Sequence, residues 1–238
     1  MRINFISASM LKSIAALLIL TVCLYTQDDH IQSWVQGHKN STTGHLSNDV
    51  KKIGLYSILT FVGLGLYGYI AGDRKAVVTF WLGMESFIIT GVFVEVLKRS
   101  TGRSRPHTGD PHDRWTGLNF SDQNDQLSFP SGDVSSAFSV ASVVASEYGN
   151  AVVPPLVYTT ATLIALERVH NNAHWPSDVF VGAAVGYFTG KAIVASHRDV
   201  KESFCVLLTL IRKLKQLFTR TRKKPSLKSD DRSTGMRT

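Results

Sequence analysis

Apolar residues in this chain gather into runs of membrane-crossing length, and charges fall between the runs or at the C-terminus. A helix rises about 1.5 Å per residue, so roughly twenty apolar residues cross the hydrocarbon layer with every backbone group paired internally. Runs of this kind occupy residues 53–71, 76–97, 131–148, 151–166 and 179–195. An N-terminal segment, 1–25, precedes them. Its apolar stretch 13–25 has the length of a signal-peptide core, but no Ala-x-Ala site follows, and 6–25 is long enough to cross if Lys12 snorkels. The expected fold is therefore all-α: a polytopic membrane protein built as a six-span helical bundle.

Charge distribution orients the bundle. From Arg198 onward twelve Lys/Arg stand against four Asp/Glu, which accounts for the whole formal net charge of +8. Basic charge can signal nucleic acid, but a basic tail after a membrane segment marks retention on the cytoplasmic side, near anionic lipid. No nucleic-acid partner is expected. Within 198–238, residues 206–218 alternate apolar and basic positions at helical spacing, as an interfacial helix does, and 219–238 has the composition of a disordered tail. The core of the protein is expected in 26–197. Cys23 and Cys205 lack metal-ligand spacing and read as unpaired thiols.

The polar stretch 26–52 contains Ile31, Trp34 and Val35 at helical spacing, suited to the membrane surface. His30, His38 and His45 have no regular spacing and read as loop residues. A turn at 72–75 returns the chain antiparallel into the run 76–97, which carries Glu85 and Glu95. Carboxylates inside spans usually face the bundle interior, and Glu95 lies one turn before a basic cluster. Gly182, Gly186 and Gly190, at i, i+4 spacing, predict tight helix packing, as do the serines of 131–148.

Three clusters carry chemistry. Lys98 to Pro106 leaves one apolar run, Phe129-Pro130-Ser131-Gly132-Asp133 enters another, and Arg168 to Asp178 lies between the last two. Pro176 suits the first turn of a helix, which puts His174 in the loop before it and Asp178 within reach of the imidazole. A carboxylate on one ring nitrogen fixes the tautomer and supports positive charge as the other reacts. Lys98, Arg105 and Arg168 supply positive charge for phosphate oxygens, while Ser131 and Gly132 supply backbone N–H groups at a helix start. With the N-terminus and tail inside, all three clusters fall on the outer side. A serine nucleophile has no general base arranged beside it in sequence.

The order and spacing of these residues (Lys-x6-Arg-Pro, Pro-Ser-Gly, Arg-x5-His-x3-Asp) resemble the three motifs of the type 2 phosphatidic acid phosphatase family, which includes haloperoxidases and bacterial lipid phosphate phosphatases. The resemblance covers residues 55–191. It implies a helical bundle of that family's kind, a His174 nucleophile that forms a phosphohistidine, Asp178 as its orienting partner, and a phosphate held by Lys98, Arg105, Ser131, Gly132 and Arg168. No metal or other cofactor is required. The implied activity is hydrolysis of a lipid phosphate or diphosphate, with undecaprenyl diphosphate, phosphatidate, phosphatidylglycerol phosphate or lipid A as candidate substrates. The implied location is a bacterial inner membrane with the site facing the periplasm. Two positions depart from the family. Glu167 replaces a Ser, which reads as minor. Asp133 replaces the His that protonates the leaving group, and so stands as the third candidate catalytic residue. A Gly-Asp here resembles some lipid A phosphatases, and a weak leaving-group acid suits diphosphates. Alternatives are a weak or inactive member that binds lipid phosphates, a lipid phosphotransferase, and a vanadate-binding oxidase.

Overall fold

The computed structural model describes residues 8–120 and 124–198 of the 238-residue chain. The interfacial helix and tail expected in 198–238 lie almost wholly outside them. Contacts divide the chain into two units, Met1–Ala195 and Ser196–Thr238, and the fold and the site belong to the first.

Among the described residues there are seven α-helices and no strand. They are α1 (Ala8–Thr26), α2 (Asp28–Gly37), α3 (Ser41–Ala71), α4 (Arg74–Thr101), α5 (Gly132–Glu147), α6 (Val153–His170) and α7 (Pro176–Arg198). All six expected crossings appear as helices. Three of them, α3, α4 and α7, are long and apolar enough to cross a membrane, and α1 with α2 makes a fourth if that pair, bent by 57°, is one span. The shorter α5 and α6, with 16 and 18 residues, extend about 24 and 27 Å.

Local chemistry sets the ends. Gly72, with φ +70°, closes α3, and the Asp73 carboxylate accepts the Lys75 and Ala76 N–H groups to open α4, so two residues reverse the chain. Pro154 and Pro155 open α6, where missing N–H groups cost nothing. In contrast to the expected polar loop, α3 begins at Ser41, twelve residues before its apolar run. Asn40 and Thr43 cap it reciprocally. Residues 31–35 are helical as expected. Trp34 is exposed on α2, while Asp28 and Gln32 turn inward.

The interior mixes apolar residues such as Leu82, Val143 and Val194 with many small polar ones. Thr79, Ser86 and Thr90 of α4 and Ser135, Ser139 and Ser142 of α5 are buried, while Leu55, Ile58, Leu59, Ile70, Ile88 and Val92 face outward. Such inversion belongs to a bundle whose surroundings are apolar. The expected glycine packing is present: a Cβ on Gly182 would lie 2.7 Å from the Ser131 carbonyl oxygen, and one on Gly186 or Gly190 would collide with the carbonyls of Ser135 or Ser139. This stripe presses α7 onto α5 and so ties the start of one to the start of the other.

Candidate active site

Three chain segments meet at one end of the bundle: the exit of α4, the entry of α5 and the loop between α6 and α7. The Ser131 N–H donates to the Asp178 carbonyl at 3.1 Å, and the Ser128 N–H donates to the Arg103 carbonyl at 3.0 Å. All three sequence clusters are thus brought together, as expected.

His174 is 2% exposed, and its Nδ1 lies 3.4 Å from Ser128 Oγ and 3.9 Å from Asp178 Oδ2. The second distance is an ion-pair separation, too long for a hydrogen bond. Ser128 fills the gap, donating to Asp178 Oδ2 at 2.5 Å. With Nδ1 turned toward Ser128 and Asp178, Nε2 is the nitrogen left for chemistry. Burial pushes the imidazole below its ordinary value. Asp178 acts against that, while Arg105 and Lys98 reinforce it. The ring is therefore neutral at neutral pH, the form a nucleophile needs.

The Asp178 carboxylate is fully buried and saturated. Its Oδ1 accepts from Arg103 at 2.5 Å, and its Oδ2 also accepts the Trp175 N–H at 3.1 Å. Arg103 is buried as well. It donates to Ser177 Oγ (2.8 Å), Asp28 Oδ2 (2.7 Å) and the His112 carbonyl (2.9 Å), and lies against the rings of Tyr25, Trp115 and Trp175. Asp28 accepts in addition from the Ser177 N–H and hydroxyl, at 2.9 and 2.5 Å. None of Arg103, Asp28, Ser128 or Ser177 was singled out from the sequence.

Lys98 and Arg105 both act on His174 from the exit of α4. Lys98 Nζ donates to the Leu127 carbonyl at 2.9 Å, and Arg105 donates to the Ala173 carbonyl at 3.3 Å and to Asn124. Burial pushes Arg105 down, opposed by Asp133, Asp178 and Asp125. A Cβ on Gly132 would sit 3.9 Å from Lys98 Nζ, so that glycine adjoins the ammonium. Ser131 departs from expectation in one respect. Its N–H is taken by Asp178, while its buried Oγ has no partner among the described residues.

Asp133 pairs with Arg168 at 2.9 Å and is exposed. Arg168 also binds Glu167, which accepts from Asn171. Glu167, which read as a minor replacement, is a buried anchor of the arginine. Glu95 pairs with Arg99 at 2.6 Å.

A helical bundle with an apolar exterior, carrying at one end a buried histidine close to Lys98 and Arg105, defines an integral-membrane protein. The chain belongs to the PAP2 superfamily, whose sequence profile matches residues 79–202, more than half of its length. Among curated relatives, it is 30% identical over 177 residues to a lipid A 1-phosphatase of Porphyromonas gingivalis, a match covering 74% of this chain and 36% of that protein. It is 29% identical over 138 residues to a lipid A 1-phosphatase of Rhizobium johnstonii, covering 54% of each. The chain thus spans about a third to a half of the length of these relatives. Two solved structures share the fold. Aquifex aeolicus LpxE has a TM-score of 0.55 at 23% identity, covering 71% of this chain and 94% of that one. A PAP2-type phosphatidylglycerolphosphate phosphatase from Bacillus subtilis has a TM-score of 0.54 at 14% identity, covering 78% and 96%.

Proposed function

We propose that this protein is a membrane lipid phosphatase that removes the 1-phosphate of a lipid A-type glycolipid through a phosphohistidine on His174. The observation that carries the reading is a buried His174, its Nδ1 facing Ser128 and through it Asp178, close to Lys98 and Arg105. Lys98, Arg105 and Arg168 neutralise the phosphoryl oxygens, with the Ser131 hydroxyl and the open Gly132 backbone at the same end. His174 Nε2 attacks phosphorus, a P–N bond forms, and the P–O bond to the lipid breaks. Asp178 offsets the charge gained by the ring. Water then attacks phosphorus, and phosphate departs as the imidazole is restored.

Substrate choice follows from the leaving oxygen. Asp133, which stands in place of the usual histidine, is engaged in a salt bridge with Arg168. The proton comes from water, which suits a weakly basic leaving group. The anomeric oxygen of a sugar 1-phosphate is one, and the terminal phosphate of a lipid diphosphate leaves another. The matches to lipid A 1-phosphatases support the first. With the basic tail cytoplasmic, this end of the bundle faces the periplasm of a bacterial inner membrane.

The test is phosphate release by purified protein in detergent, without added metal, across 1-phosphorylated lipid A, undecaprenyl diphosphate, phosphatidate and phosphatidylglycerol phosphate, beside His174→Ala. Release by the wild type that is abolished in the variant is expected, with lipid A first in rate. Equal background from both proteins on every lipid would overturn hydrolysis. The clamping of Arg168 by two carboxylates would then favour a non-catalytic binder of lipid phosphates.

A further inference from the structure

The N-terminal segment touches the site through several residues, and Asp28 is the one that bonds both Arg103 and the first turn of α7. The bend at Gln27 between α1 and α2 delivers Asp28, fully buried, onto the first turn of α7, where it accepts the Ser177 N–H and hydroxyl. That already makes Asp28 a cap for the helix that carries Asp178. It does more, because Arg103 lies between the two carboxylates, donating from Nη2 to Asp28 at 2.7 Å and from Nη1 to Asp178 at 2.5 Å.

Charge accounting gives this arrangement a consequence. Paired with Arg103 alone, Asp178 would form a neutral couple and lend little support to a cationic ring on His174. A second carboxylate on the same guanidinium leaves one net negative charge in the cluster. Burial pushes the Asp28 carboxyl up, and three donors, a guanidinium among them, act against it. Donors alone surround its oxygens, which is the setting of a carboxylate. Asp29 and His112 pair with each other beside this cluster at 2.5 Å, and His112 offers Arg103 only its backbone carbonyl. His174 itself feels Asp178 from α7, Lys98 from α4, and Arg105 from the loop after α4.

We infer that Asp28 is a positioning residue for His174: acting through Arg103, Ser177 and Asp178, it fixes the orienting carboxylate and restores the negative charge that supports the phosphorylated ring. The N-terminal segment is then part of the catalytic apparatus. This rests on the phosphohistidine reading, so its readout is chosen to stand apart from turnover.

Two substitutions in the full chain in detergent give opposite signs. Asp28→Asn keeps the shape and removes the negative charge, so the His174 ring titrates lower. Arg103→Gln removes the positive charge, so the ring titrates higher. Each shift is about one pH unit. Histidine-labelled protein followed by NMR reads the titration directly, with His174→Ala assigning the signal among the eight histidines. Turnover of 1-phosphorylated lipid A is measured alongside. Asp28→Asn is expected to lower kcat more than tenfold with KM within twofold, and the acid limb of kcat/KM is expected to move with the NMR titration. Opposite displacements sustain the inference, and either variant alone tests its own sign if the other does not fold. Activity that falls only with the folded fraction, while the His174 titration stays fixed, would overturn it. Wild-type protein that titrates as expected yet releases no phosphate would sink the phosphatase reading and leave the positional role of Asp28 standing.

Discussion

Gly186→Ala is the substitution for which the structure gives the sharpest mechanical consequence. A Cβ on Gly186 would stand 2.9 Å from both the Ser135 carbonyl carbon and the Ser139 nitrogen, and would collide with the Ser135 carbonyl oxygen. These are backbone atoms of α5, so no rotamer change relieves the clash. Carbon pairs rest at about 3.5–4.0 Å, so α7 must retreat from α5 by roughly 1 Å. Overpacking of this kind costs about 1–3 kcal/mol. At about 2–4 °C per kcal/mol for a domain of this size, Tm falls by roughly 2–12 °C. Activity should fall further than stability. Asp178 lies two helical turns away on α7, and a misplacement near 1 Å can cost about 10²-fold. Gly91→Ala is the control, because nothing lies within 4 Å of a Cβ there and helix propensity favours alanine by about 1 kcal/mol. Thermal unfolding in detergent, read by tryptophan fluorescence beside phosphate release, makes the comparison. A Gly186→Ala protein that melts with the wild type would refute the packing argument.

Two further outcomes follow from the charges at the site. Asp133→His restores a proton donor at the position where the leaving group departs. General acid catalysis is typically worth about 10²–10⁴-fold, so release from simple alkyl phosphates should rise steeply near pH 6 while release from lipid diphosphates changes little. An equal change on both would show that leaving-group protonation does not limit the wild type. Because burial holds His174 below its ordinary value, the folded protein takes up this proton only at lower pH than the unfolded chain. Its contribution to stability is complete above the unfolded value of about 6.5 and is lost as pH falls toward the folded value. Denaturation between pH 7 and 5 should therefore show a steeper loss in the wild type than in His174→Ala, and parallel curves would remove His174 as the cause.

What the sequence made legible was whatever a local pattern can carry. Apolar runs placed the helices, Pro176 placed the start of α7, and the clusters at run ends pointed to Lys98, Arg105 and His174, which the fold brings close together. The start of α3 was missed because hydropathy reads only its apolar part, although Asn40 and Thr43 hold a capping signal. The pairings were not legible at all. Arg103 stands in the same cluster as Arg105, with the same charge and a similar setting, yet Arg103 is buried between Asp28 and Asp178, each 75 residues distant, while Arg105 binds backbone carbonyls near the cations. A buried guanidinium must find acceptors for its donors, but composition offers 18 acidic residues and does not say which. The same limit made Glu167 look incidental. It also credited Ser131 with a free N–H that the fold spends on the Asp178 carbonyl. Local pattern thus names the groups that could meet a phosphate, and long-range burial decides which of them are free to do so and which are spent holding His174 in place.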